Sequence, residues 1–144
     1  MVESKIEALL KVSKVNLDRA EKRFEGGEYD SAVFHASMAV ESTANAMILE
    51  LGGDEAKDHR AISGLAAVLR RVKPELLRED EYAQIIDKGR NIQRQVIYTR
   101  YPLKISGKWV TPEEYYTREK AIAVIGDAKF VVNGISAHLK RTKS

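Results

Sequence analysis

Cysteine is absent from all 144 residues, which removes disulfides, thiol nucleophiles and cysteine-ligated zinc or iron–sulfur centres. Stability must then rest on packing alone. Proline occurs three times, at Pro74, Pro102 and Pro112, each between periodic segments, as befits helix breakers in an all-helical chain. No apolar run approaches the roughly 18 to 20 residues that a bilayer crossing needs. The opening MVESKIEALLKVSK is charged and amphipathic rather than signal-like, so a cytoplasmic location without membrane contact is expected. Internal repeats, low-complexity tracts, P-loop and dinucleotide fingerprints are missing too. So is the Gly-Ser plus paired-aspartate pattern of a catalytic nucleotidyltransferase. His35, His59 and His138 offer no i,i+4 pair, so neither a helical zinc site nor any cofactor is expected.

A local absence is the most informative one. From Lys88 to Lys108 there is no Asp or Glu, while Lys88, Arg90, Arg94, Arg100, Lys104 and Lys108 are all basic and Tyr98 and Tyr101 lie among them. The whole chain carries only +3, so the positive charge is concentrated here, and a local cationic face points to an anionic partner, phosphate first. The remaining composition, 44% hydrophobic and 31% charged, is that of one soluble domain over residues 1–144 with one core.

Periodicity predicts helices. Ile6, Leu10, Ser13, Leu17, Ala20 and Phe24 form one stripe on a helix from about residue 3 to 25, ended by Gly26-Gly27. A second helix from Tyr29 to Gly52-Gly53 has a wide face of Ala32, Val33, Ala36, Ala39, Val40, Ala44, Met47 and Leu51, which predicts contact with several neighbours and a central place. The short turn between them makes an antiparallel hairpin. Asp58 is read as the cap of a third helix through Ile62, Leu65, Ala66 and Leu69, closed by Pro74. A fourth runs from about Glu79 to Tyr101, with Ile85, Ile86, Ile92, Val96 and Ile97 inward and Pro102 ending it. Thr111-Pro112-Glu113-Glu114 is a capping box that starts a fifth, whose stripe is Ala121, Val124, Ala128, Val131, Ile135 and His138. Lys104 to Val110 can be extended but has no obvious strand partner. The fold class is therefore all-α: an antiparallel up-and-down bundle of about five helices.

On the fourth helix Arg90, Arg94, Tyr98 and Tyr101 follow at steps of four and three, which places two guanidinium groups and two rings on one strip. Guanidinium forks onto phosphate, and a tyrosine ring stacks on a base for about 1–3 kcal/mol. The competing assignment is a solvated basic face with tyrosines in the core or a dimer contact. Arg100 is expected on a different side, near Gln93 and Ile97, where a cation also suits a helix C-terminus. Ser37 and Glu41 lie one turn apart on the alanine-rich helix, and the carboxylate there needs a partner, expected to be an arginine of helix four. His59 is read as packing or capping at the start of helix three, and as an acid or base candidate if the fold brings it to Arg94 or Arg100. Lys104 to Trp109, with Gly107, can form a flap over the strip, or Trp109 can bury its ring and anchor the loop.

The order of short elements resembles the HEPN domain: Gly27-Glu28-Tyr29-Asp30-Ser31-Ala32 entering helix two, Ala39-Val40-Glu41 within it, Asp58-His59 before helix three, and Arg100-Tyr101-Pro102 after helix four. The resemblance implies an antiparallel bundle that pairs into a homodimer, with a nucleotide- or RNA-binding cleft between protomers. It also implies a minimal nucleotidyltransferase as partner in a toxin–antitoxin-like pair. Nuclease members carry an arginine followed, after four to six residues, by a histidine near the end of helix four. Here neither Arg94 nor Arg100 has a histidine at that distance; the next is His138. The expectation is thus a binding module for nucleotide or RNA using Arg90, Arg94, Tyr98, Arg100, Tyr101, Lys104 and Lys108, with Ser37 and Glu41 orienting. The alternatives are a metal-independent endoribonuclease with Arg100 and His59 as catalytic candidates, and a structural adaptor pairing through the Ala121-to-His138 stripe.

Overall fold

Six helices and one short hairpin follow in chain order in the computed structural model, which describes residues 4–142: α1 (Lys5–Glu25), α2 (Tyr29–Glu50), α3 (Ala61–Val72), α4 (Asp80–Gln95), β1 (Leu103–Ile105), β2 (Lys108–Val110), α5 (Pro112–Tyr115) and α6 (Arg118–Thr142). Two 3₁₀ turns, Pro74–Arg78 and Val96–Thr99, precede and extend α4. The Ser4 side chain caps α1 by accepting the Glu7 amide at 3.1 Å; residue 3, where this helix was expected to begin, lies outside the described residues. Gly27 adopts φ +77°, the left-handed conformation that glycine reaches without steric penalty. The tight turn lets the Phe24 and Tyr29 rings meet at 5.5 Å and sets α1 antiparallel to α2.

Short side chains make α2 the centre. Ala32, Ala36, Ala39, Ala44 and Ala46 are fully buried, and α1, α3, α4 and α6 all pack against this one helix. Small polar groups are admitted only where they are satisfied: buried Ser13 of α1 donates to the Ala39 carbonyl at 2.9 Å and also touches Thr43. Buried Asn45 accepts the Ala56 amide at 2.9 Å, pinning the loop that leads to α3. The buried apolar residues other than Val96 form one connected cluster. Two helix crossings depend on a missing side chain, since a β-carbon at Gly89 would stand 2.6 Å from Ile62 Cδ1 and one at Gly134 2.8 Å from Ile85 Cδ1.

Several expectations are corrected. Helix four stops at Gln95 rather than Tyr101 and tightens into the 3₁₀ turn, where Thr99 Oγ1 donates to the Val96 carbonyl at 2.6 Å. Ile97, expected inside, is exposed. Lys104 to Val110 does find a strand partner, within itself: Leu103 pairs with Val110, Lys104 with Trp109 and Ile105 with Lys108 around Ser106-Gly107. Both turn residues have positive φ, 48° and 80°, the backbone of a type I′ hairpin. Trp109 anchors nothing, being exposed on that hairpin.

The Thr111 capping box forms, with reciprocal hydrogen bonds of 3.2 and 3.0 Å to Glu114, but the helix it starts lasts only one turn. Tyr116 takes an extended conformation and buries its ring, its hydroxyl donating to Gln95 Oε1 at 3.0 Å; α6 restarts behind Thr117, whose hydroxyl accepts the Lys120 amide. By length and composition α6 is apolar enough to cross a bilayer, contrary to expectation. Its stripe Ala121, Val124, Ala128, Val131 and Ile135 is nevertheless buried in the bundle, so that stripe is already covered and offers no adaptor surface.

Close approach of α3 and α4 at Gly89 makes a sharp prediction: Gly89→Val lowers stability by about 1–3 kcal/mol through overpacking, read as a lower urea midpoint with unchanged slope, and an unchanged midpoint contradicts it. Two histidines supply a pH prediction. Burial, then Arg19 and Arg23, hold His35 below its usual pKa, and its Nδ1 lies 3.0 Å from Asn16 Oδ1. Burial, then Lys73 and Arg141, do the same to His138, which meets the Tyr82 ring at 5.5 Å. The folded chain therefore binds fewer protons than the unfolded one between these lowered values and the ordinary 6.5. Their contribution is fully present above that ordinary value and falls as pH drops through the window. The double variant His35→Gln, His138→Gln should show a shallower dependence of Tm on pH between about pH 7 and pH 5 than the wild type; equal slopes contradict the assignment.

Candidate phosphate-binding cleft

A cleft of about 380 Å³ opens where the loop before α3 faces the end of α4, lined by Asp58, His59, Arg60, Gln93, Arg94, Val96, Ile97, Arg100 and Tyr101. One wall is strained backbone. Asp58 and His59 both have φ +59°, a conformation that non-glycine residues rarely hold and that costs on the order of 1–3 kcal/mol each. Asp58 is therefore no helix cap, and Arg60 occupies that position without a capping side chain. The free amides at the start of α3 are met from the opposite wall. Gln93 Oε1 accepts the Ile62 amide at 2.9 Å, and Gln93 Nε2 donates to Ser63 Oγ at 3.0 Å. One α4 side chain thus caps α3 and ties the two walls together.

The change from α-helix to 3₁₀ turn determines which side chains share the cleft. At three residues per turn, positions i and i+3 eclipse, which brings Ile97 and Arg100 round to the side of Arg94 and turns Tyr98 away with Gln95. The single strip expected from α-helical spacing is therefore divided. Arg94, Arg100 and Tyr101 line the cleft, whereas Tyr98 lies in a neighbouring groove of about 320 Å³ with Tyr115 and Lys120, its ring 6.0 Å from that of Tyr115. Arg94 borders both. Arg100, expected on another side, faces the same space as Arg94, and its guanidinium lies 5.4 Å from the Phe34 ring centroid. Half-buried Arg90 lines neither groove. Lys88 is engaged elsewhere, bonded to Asp127 at 3.2 Å, while Lys104 and Lys108 lie on the hairpin that follows Tyr101-Pro102.

Glu41 finds a different partner from the one expected. A carboxylate on the most buried helix requires a hydrogen-bond donor, and His59 Nδ1, not an arginine, supplies it at 3.0 Å. Fixing Nδ1 as the donor sets the tautomer of a neutral ring, and no hydrogen bond occupies Nε2 among the described residues. His59 is thus held at the cleft by Glu41 rather than by capping. Ser37, expected to orient an arginine, turns its hydroxyl to the Phe34 carbonyl of its own helix at 2.6 Å. It lines only a small cavity below, with Glu41 and His59. Among the described residues no carboxylate pairs with Arg60, Arg94 or Arg100, so three cations and a hydrogen-bonded imidazole surround one opening, against the single carboxylate of Asp58. Sequence reasoning missed Arg60, although its place beside Asp58-His59 was a usable signal. It also missed the bridging role of Gln93 and the Phe34 contact, which only tertiary packing reveals.

The HEPN domain family model matches residues 6–137. Two crystal structures are similar in fold: an archaeal HEPN homologue at 21% identity and TM-score 0.69, and TT1696 from Thermus thermophilus at 22% identity and TM-score 0.75. Each alignment covers 94% of this chain and 98% of the other. No curated protein matches the chain.

Because Gln93 joins the walls, Gln93→Ala should cost about 0.5–2 kcal/mol, the range for a lost helix cap. Amide exchange should accelerate at Ile62 and Ser63 ahead of the rest of α3. Uniform exchange across α3 would contradict the capping role.

Proposed function

Because the chain belongs to the HEPN domain family, we propose that it is a nucleotide- or RNA-binding module whose ligand phosphate enters the cleft between His59 and Tyr101. The observation that carries this reading is the convergence of Arg60, Arg94 and Arg100, none paired with a carboxylate among the described residues, on one opening. Guanidinium groups free of internal ion pairs keep their forked donors for phosphate oxygens. Tyr101, 59% exposed, is the ring placed to stack on a base; Tyr98 is given up for that role because it packs beside Tyr115. Arg100 is held over Phe34, and Glu41 orients His59 so that its other nitrogen is left for the ligand. The family resemblance extends the proposal to a homodimer working beside a minimal nucleotidyltransferase in a toxin–antitoxin-like pair.

The Glu41–His59 pair favours a second reading, a metal-independent endoribonuclease. In it, neutral His59 accepts the proton of a ribose 2′-hydroxyl at Nε2 as that oxygen attacks the adjacent phosphorus. The carboxylate stabilises the imidazolium that forms, and the arginines hold the phosphate charge. The P–O5′ bond breaks and the leaving 5′-oxygen takes a proton from water while the imidazolium returns its own to solvent, leaving a 2′,3′-cyclic phosphate and a 5′-hydroxyl. This chemistry requires a carboxylate-oriented imidazole, which the chain has, in place of the absent histidine after helix four.

Incubation with end-labelled RNA in the presence of chelator, read on native and denaturing gels, separates the two. For the binding module the RNA band is retarded but intact. Arg100→Ala then weakens binding and reduces the log–log salt slope by about 0.7, the increment for one phosphate contact on a single strand. Cleavage that survives chelator and disappears in His59→Ala would establish the nuclease instead. Neither retention nor cleavage would refute both.

A further inference from the structure

We propose that the hairpin Leu103–Val110 is a second contact on the same ligand, stacking a base on Trp109 and holding phosphate with Lys104, so that the ligand is a single-stranded polynucleotide rather than a mononucleotide. The proposal rests on the cleft reading above and extends it along the chain. Trp109 is the only tryptophan, and a ring of that size is normally buried. Here it is 67% exposed, on a hairpin that packs mainly on itself.

Its position is set by the fold rather than left to chance. Cross-strand partners share a face, so Lys104 and Trp109 stand together, with the Lys104 ammonium 5.6 Å from the indole centroid. Leu103 and Val110, on the opposite face with the Ile105–Lys108 pair, are half-buried and set the outward direction of the indole, so Lys108 is turned away from it. The type I′ turn at Ser106-Gly107 stiffens the tip. An aromatic platform with a cation beside it is the arrangement by which proteins hold single strands without reading sequence.

Charge selects the occupant. From Lys88 through Pro112 the chain has no carboxylate, which suits a polyanion. Continuity supports the same ligand. Tyr101 lines the cleft and Lys104 begins the hairpin face three residues later, a separation of at most about 10 Å of chain. A strand leaving the arginines thus meets the hairpin next.

The lone tryptophan is its own reporter. Wild type is titrated with uridine monophosphate, with oligouridylate of about ten nucleotides and with oligodeoxythymidylate of the same length, following indole emission and the anisotropy of labelled oligomers. Oligomers are expected to quench Trp109 and the mononucleotide to leave it unchanged. Trp109→Ala should weaken oligomer binding about tenfold while mononucleotide affinity stays the same. Because the ring is exposed, the variant keeps the fold, which circular dichroism verifies, and Trp109→Phe should recover most of the loss. Tighter ribo- than deoxyoligomer binding narrows the ligand to RNA; equal binding assigns single strands of either sugar. Oligomer binding that depends on Arg100 but causes no quench and ignores Trp109→Ala overturns the hairpin and leaves the cleft standing. Emission that changes with protein concentration, and not with oligomer, gives the ring to a second copy of the chain and also overturns it. No binding of any ligand removes cleft and hairpin together.

Discussion

Burial of α2 on nearly every side is the constraint from which the rest of the structure follows. Alanines at 32, 36, 39, 44 and 46 leave its surface low enough for α1, α3, α4 and α6 to reach it, and close packing of this kind tolerates few polar groups. Glu41 sits within that helix and remains only partly exposed, so its charge has to be met by a donor from a neighbour. His59 meets it, and in doing so helps hold a stretch of left-handed backbone at Asp58 and His59 that would otherwise relax. A packing requirement at the centre is thereby expressed as a strained loop with an oriented imidazole at the surface.

The opposite wall depends on a different local event. α4 lies against α3 because Gly89 lacks a side chain, and it then gives way to the 3₁₀ turn before Pro102. That change of winding, more than the residue spacing, directs Arg94, Ile97 and Arg100 to one side. Gln93 joins the walls by capping α3. Stability and site geometry are coupled here through few contacts, and those contacts are polar where the core is apolar.

Much of this was legible in the sequence, for identifiable reasons. Stripes of period near 3.6, glycine turns and the Thr111 capping box located the helices, and the run of alanines identified α2 as central. The HEPN resemblance followed from short elements in the right order, and the family match over residues 6–137 agrees. What stayed hidden were features decided by tertiary context. A single cationic strip assumed α-helical winding to Tyr101; Thr99 bonding back to Val96 shows where that assumption failed. Asp58 looked like a cap because Asp is a common one, yet its backbone is left-handed and the capping group comes from Gln93, about thirty residues later in sequence. A lone tryptophan such as Trp109 is more often a buried anchor, and although Ser106-Gly107 is a turn dipeptide, only the strand register shows that the ring faces outward.

Backbone amide NMR during titration with a short oligoribonucleotide tests the central claim most directly, because every residue that lines the cleft has an amide that reports separately. The account predicts that the largest, saturable shifts fall on His59, Arg60, Arg94, Ile97, Arg100 and Tyr101, and that Arg100→Ala abolishes their saturation. Shifts confined to another surface, such as the groove between α1 and α6 lined by Glu21, Phe24 and Lys129, would contradict it, as would a spectrum that does not change.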